Sequence, residues 1–265
     1  MKSGRSRVVA MLGVYAVWAA ITLIGGQMVT GGEQSSLNDL VQNGIGWHFA
    51  VACLFLIAAI AAFKWNDLRF TAPHSLLKVL WFPTLYLIAF VVGMTYLGLP
   101  NSTIIMFVFI NTMMVGFSEE VMFRGAMYRA FEGVMRTWPA ILLTCLLFGA
   151  VHTLNVFITG DLLPAVIQSV AAAMSGLVFM AILIRTGSIW PAIIYHGLWD
   201  CFIFLMTTSV ASDLSLANTE APGSASLYAP ILFNLPNVAF ALIMLRNVGR
   251  DSPPPSHASS GAAPA

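Results

Sequence analysis

The sequence predicts an all-α, polytopic membrane protein of about eight transmembrane helices, and three observations carry that expectation. Of 265 residues, 58% are apolar and only 9% are charged, against roughly 45–50% and about 25% in a soluble domain. Apolar runs of about twenty residues recur along the chain, so most of it is solvated by lipid; the mean hydropathy is +0.84. The runs are continuous rather than alternating with period two. A span in hydrocarbon must satisfy its own backbone groups, which selects helices.

The first run, Val8–Val29, follows Lys2, Arg5 and Arg7 in the manner of a signal peptide. It exceeds the roughly 7–15 residues of a signal core and lacks an Ala-x-Ala site, so it reads as an uncleaved first span. The other spans are Ile45–Phe63, Leu76–Leu97, Ile104–Phe117, Trp138–Ile158, Leu162–Ile184, Ile189–Met206 and Tyr228–Leu245. Residues 30–44 and 211–227 are expected to be short outer loops. Residues 1–250 form a single transmembrane helical domain, and 251–265 read as a disordered tail too poor in apolar residues to pack.

Charge placement gives an independent test of the span count. With the N-terminus inside, the inner connections hold every one of the 12 Lys and Arg residues except Arg124, while Glu33, Asp39, Asp161, Asp213 and Glu220 lie outside. That segregation follows the positive-inside rule and places both termini in the cytoplasm. Without a eukaryotic sorting motif, a bacterial inner membrane is the expected location. A net charge of +1 gives no basic footprint for nucleic acid. Cys53, Cys145 and Cys201 fall inside apolar runs without CxxC spacing and read as free, small hydrophobes.

Ionisable groups within spans are the informative residues, since each costs roughly 2.5–3.5 kcal/mol at a helix centre and marks a candidate functional site. They are Glu119, Glu120, Arg124, His152, His196 and Asp200. In SEEVMFRG, Glu120 and Arg124 share a helix face one turn apart in the favourable order for an ion pair. Glu119 points about 100° away, free to meet something else. In FGAVH, Phe148 lies one turn beneath His152, and in HGLWD, His196 and Asp200 share a face. His48 and His74, at span edges, read as interfacial polar groups. Asn111, Asn155 and Gln168 are candidate interhelical hydrogen-bond partners.

A carboxylate and two histidines in a low-dielectric bundle support two chemistries. Glu119 can act as general base toward a water, with a histidine sharing the proton and other donors stabilising an oxyanion. Alternatively, Glu119, His152 and His196 can bind zinc, although the HExxH spacing is absent. A non-catalytic carrier or scaffold is the rival from another class.

The three motifs in this order resemble the CPBP family of intramembrane glutamic endopeptidases, which includes the CAAX prenyl proteases and bacteriocin-processing proteins. That family carries EExxxR, FxxxH and HxxxN/D on successive spans, matched here by Glu119-Glu120…Arg124, Phe148…His152 and His196…Asp200. The resemblance covers roughly residues 103–206. It implies a metal-independent and cofactor-free hydrolase acting on membrane-associated peptides. In it Glu119 and His152 activate water, Glu120 and Arg124 hold the first motif, and His196 with residue 200 forms the oxyanion site. Asp200 departs from the Asn usual in the prenyl proteases, and a carboxylate donates a hydrogen bond only when protonated.

One difficulty concerns depth. At 1.5 Å per residue, His152 lies ~21 Å from the inner start of its span, whereas His196 lies ~11 Å from its own. Convergence requires tilt, or a fifth helix that begins below the membrane surface.

Overall fold

The computed structural model describes residues 4–217 and 227–249, and among these every regular element is helical. The tail expected at 251–265 lies outside the described residues. The chain forms α1 (Gly4–Val29), a short α2 (Leu37–Gln42), α3 (Trp47–Phe63) and α4 (Leu76–Leu97). α5 (Ser102–Glu132), α6 (Thr137–Thr159) and α7 (Leu162–Thr186) follow. α8 (Trp190–Ala217) and α9 (Ala229–Leu245) complete the described set. α1 and α4 to α8 are long and apolar enough to cross a membrane, while α3 and α9 are shorter at 17 residues each. Each apolar segment read from the sequence is a helix, and the chain is an integral membrane protein.

Three boundaries differ from expectation. The presumed loop at 30–44 contains α2, capped by Ser36, whose side chain accepts from the Asp39 N–H. α8 continues past residue 211 to Ala217. The fourth span, expected to end at Phe117, runs on as one helix to Glu132. Hydropathy falls there because of Glu119, Glu120 and Arg124, but a helix tolerates such residues when they meet partners on neighbouring helices.

Glycines set how closely the site-bearing helices approach. A Cβ on Gly116 of α5 would stand 2.7 Å from the backbone nitrogen of Gly197 in α8. A Cβ on Gly149 of α6 would stand 2.5 Å from the Ser169 carbonyl oxygen in α7. Only glycine permits these contacts, which replace hydrophobic driving force as the basis of helix association in lipid. Glu119 lies one turn beyond Gly116, His152 one turn beyond Gly149, and His196 and Asp200 flank Gly197, so close packing delivers them to one region.

At one end of the bundle the segment joining α3 to α4 covers the turn between α7 and α8. Ile189 N–H donates to the Arg69 carbonyl at 2.9 Å and His74 N–H to the Thr186 carbonyl at 3.0 Å. Thr71 Oγ1 donates to the Gly187 carbonyl at 2.9 Å and Ser188 Oγ to the Thr71 carbonyl at 2.6 Å. Arg69 and Ser75, within and beside this lattice, take left-handed conformations at φ 62° and 55°, as does Lys64 at φ 56°, where it caps the C-terminus of α3; non-glycine residues rarely adopt them. The same end gathers Arg7, Asp67, Arg129 and Glu132 into an ionic cluster.

Candidate active site

Two irregular helical segments present the polar side chains. α5 passes into π geometry over Val121–Met127, directly after Glu119 and Glu120. α6 tightens into a 3-10 turn over Thr153–Asn155, directly after His152. Such interruptions change the rotational phase of the side chains that follow and recur at functional sites. A uniform 3.6-residue reading of the sequence contains no signal for either.

Glu120 and Arg124 face each other as expected, with Arg124 Nη1 3.1 Å from Glu120 Oε1 and both side chains fully buried. The pair is not self-contained. Glu120 Oε1 also accepts from His196 Nδ1 at 2.8 Å, tying α5 to α8. The Arg124 guanidinium lies between the rings of Phe148 and Phe179, 4.1 and 4.9 Å from their centroids. Its Nη2 donates to the Gly176 carbonyl at 3.2 Å. Desolvated cation–π contacts of this kind contribute about 2 kcal/mol.

Glu119 turns the other way. Its Oε2 lies 3.9 Å from His152 Nε2 and 3.7 Å from His196 Nε2, and Asp200 Oδ2 lies 3.4 Å from that same His196 nitrogen. All six ionisable residues singled out in the spans therefore gather in one place. Glu119 Oε2 is buried and has no hydrogen-bond partner among the described residues.

Hydrogen bonding assigns the ring protons. His152 Nδ1 stands 2.7 Å from the Phe148 carbonyl, to which it donates, leaving Nε2 facing Glu119. His196 Nδ1 donates to Glu120, so its Nε2 likewise faces the centre. The Phe148 ring meets His152 edge-on at 5.0 Å, as its spacing suggested. Phe179, which no motif flagged, stacks on His196 at 4.5 Å and 19°.

Convergence of the two histidines follows from a buried turn. Thr186, Ser188 and Ile189 are fully enclosed beneath residues 69–74. α8 thus starts inside the protein whereas α6 starts at its rim, and the mismatch in residues from each helix start disappears.

Two cavities meet at this cluster. One of about 960 Å3 runs between α4, α7, α8 and α9, walled by apolar side chains such as Phe90, Ile167, Trp199 and Phe233. A smaller one of about 150 Å3 reaches Trp18, Thr22, His48 and Glu119. His152, Gln168, Asp200 and Phe204 line both. Asn155 Nδ2 donates to Gln168 Oε1 at 2.9 Å, an interhelical bond between two of the residues expected to make one. Gln168 Nε2 has no partner among the described residues. Asn111 accepts from Gly46 N–H and donates to the Val41 and Gly44 carbonyls, anchoring the segment before α3.

His48 corrects an expectation. It is not interfacial but 1% exposed, because Gly25 of α1 leaves room for it and no Cβ could fit there. His74 does sit exposed at the end of the bundle. The three cysteines are free. Among the described residues no group of three His, Cys, Asp or Glu side chains is arranged to hold a metal ion.

Residues 100–202 match the family described as Rce1-like: Type II CAAX prenyl endopeptidase. The match spans α5 to the first half of α8 and includes all six residues of the cluster. No curated protein and no solved structure matches the chain.

Proposed function

We propose that this chain, whose residues 100–202 match the Rce1-like family, is a CAAX-type membrane protease, and specifically an intramembrane glutamic endopeptidase with Glu119 as general base. The observation that supports this most is the buried, unpartnered Glu119 Oε2 with two imidazole Nε2 atoms 3.7 and 3.9 Å away. Those separations are too long for direct hydrogen bonds and suit one bridging water. In this reading the water donates one proton to Glu119 and is held by His152 Nε2 while its oxygen attacks the scissile carbonyl carbon. Glu119 then passes the proton to the leaving amine and returns to carboxylate, so the cycle balances without a further co-reactant.

The tetrahedral oxyanion needs donors, and the cluster is rich in acceptors. Protonated His196 donates from Nε2, its ring fixed by Glu120 through Nδ1 and by stacking on Phe179. Gln168 Nε2, placed where the two cavities meet, supplies a second donor, a role the motifs did not indicate. Asp200 then orients the His196 Nε2–H rather than donating itself. Glu120 and Arg124 act as positioning residues.

The large apolar cavity takes the hydrophobic part of a membrane-associated substrate, such as the isoprenoid of a prenylated C-terminal peptide, with the scissile bond at its polar end. The basic end of the bundle faces the cytoplasm by the positive-inside rule.

The test is cleavage of a farnesylated membrane peptide by purified protein. Glu119→Gln should lose cleavage while Glu119→Asp retains a trace, and a strong chelator should leave the wild type active. A Glu119→Gln variant as fast as the wild type sinks the glutamate mechanism. Loss of activity on chelation, restored by zinc, moves the same residues to a metal site. A wild type that moves protons in liposomes and cleaves no peptide points to a carrier.

A further inference from the structure

At the end of the bundle that carries the loops rich in Lys and Arg, the start of α4 and the ends of α7 and α9 enclose a third concavity of about 370 Å3. Its lining includes Lys78, Arg185 and Arg246, the polar Ser75 and Asn247, and no acidic residue among the described residues. The three cations come from three separate helices. Arg185 is fixed by its Nε, which donates to the Met244 carbonyl at 2.5 Å and joins α7 to α9. That bond leaves both Nη groups without a partner among the described residues.

Other arginines at this end are treated differently. Arg7 and Arg129 face Asp67, and Arg129 also faces Glu132. Around Lys78, Arg185 and Arg246 no carboxylate among the described residues answers the charge, and three like charges in one concavity repel one another. The arrangement is favourable once an anion enters. Lys78 lies in the first turn of α4, Arg185 in the last turn of α7 and Arg246 directly after α9, the level at which lipid headgroups meet a transmembrane bundle. A fixed guanidinium with two open N–H edges matches a phosphate oxygen pair, and lysine adds a point charge.

We propose that this pocket binds the phosphate of an anionic phospholipid headgroup from the leaflet on that side, with Arg185 as the fork and Lys78 and Arg246 as flanking charges. Basic pockets between transmembrane helices hold such headgroups elsewhere. α4, α7 and α9 also wall the 960 Å3 cavity, so a bound headgroup clamps the helices that border it. The site does not depend on the protease reading.

Native mass spectrometry of the purified chain, equilibrated with equal amounts of phosphatidylglycerol and phosphatidylcholine, tests this. The wild type should retain phosphatidylglycerol preferentially. Lys78→Gln, which removes an exposed side chain, should weaken that retention about fivefold, and Lys78→Gln with Arg246→Gln about thirtyfold. Arg185→Lys, which keeps the charge and loses the fork, should lower it by less. Melting of the two glutamine variants in pure phosphatidylcholine should not fall below that of the wild type, which separates lost lipid binding from lost folding. Equal retention of the two lipids by the wild type, or undiminished phosphatidylglycerol retention in the double variant, overturns the proposal. Millimolar inorganic phosphate that leaves lipid retention unchanged supports the headgroup as source, whereas phosphate that binds and fully displaces the lipid overturns that assignment.

Discussion

Two clusters of charged side chains, one at the end of the bundle and one inside it, use similar residues to opposite ends. In the outer cluster each charge faces an opposite one: Arg7 grips both oxygens of Asp67 at 2.7 and 2.8 Å, and Arg129 reaches Asp67 and Glu132. In the inner cluster three carboxylates meet one arginine and two histidines, and Glu119 Oε2 and Glu120 Oε2 have no hydrogen-bond partner among the described residues. An open acceptor beside water is inexpensive, but one in a lipid-embedded interior is not. The difference teaches that the outer cluster joins α1, the α3–α4 segment and α5, while the inner one leaves an acceptor open, which the proposed mechanism uses for a reacting water.

Removing that acceptor should produce the largest effect. Glu119→Gln is expected to lower kcat/KM by about 10²–10⁴-fold with an unchanged or slightly raised melting temperature, read by peptide cleavage beside thermal denaturation in detergent. A variant that lost stability in proportion to activity would make the two clusters alike.

Next in size is the buried cation. Arg124→Met leaves the buried Glu120 with His196 as its remaining partner and should cost up to about 3–5 kcal/mol, whereas the double change with Glu120→Leu should recover much of it. Denaturant titration of the single and double variants measures this. Recovery of stability without recovery of cleavage would support Glu120 as the residue that orients His196.

Gln168→Leu should act on rate alone. Removing one oxyanion donor lowers kcat by roughly 10²-fold, and KM for a lipidated peptide should stay near the wild-type value. An effect confined to KM would reassign Gln168 to substrate binding.

The smallest effect belongs to the outer cluster. Asp67→Asn should cost only ~0.2–1 kcal/mol, since the pair is partly exposed and screened. The Arg7 hydrogen bond holds the Asp67 carboxyl below the usual carboxylate range. Its contribution is therefore complete at pH values above an ordinary aspartate pKa of about 4, and is lost as pH falls further. Wild type and variant should converge in stability as the pH falls below about 4, and in high salt, when melting is followed on acidification.

Much was legible from single residues. Glu119, His152 and His196 stand out because a charge in an apolar run is costly wherever the helix ends up, and the Phe148–His152 contact follows from helical spacing. Phe179 carried no such signal, and Gln168 only that of an interhelical hydrogen-bond partner, since an aromatic or an amide in a span is ordinary until its neighbours are known. The second partner of Glu120 was illegible for another reason: it lies on α8, far away in sequence, and the spacing of Arg124 already appeared to satisfy it. His48 was misplaced because its burial depends on Gly25 of another helix.

By itself the sequence determined that this is a lipid-embedded helical bundle, where its apolar segments fall and which six side chains are out of place, because hydropathy and desolvation are properties of a local window. The tertiary structure alone decided the π and 3-10 interruptions, the buried α7–α8 turn that levels the two histidines, and the basic pocket at the helix ends. Each depends on the rotational phase and depth of helices packed through glycine contacts, and those contacts join residues that no local window contains.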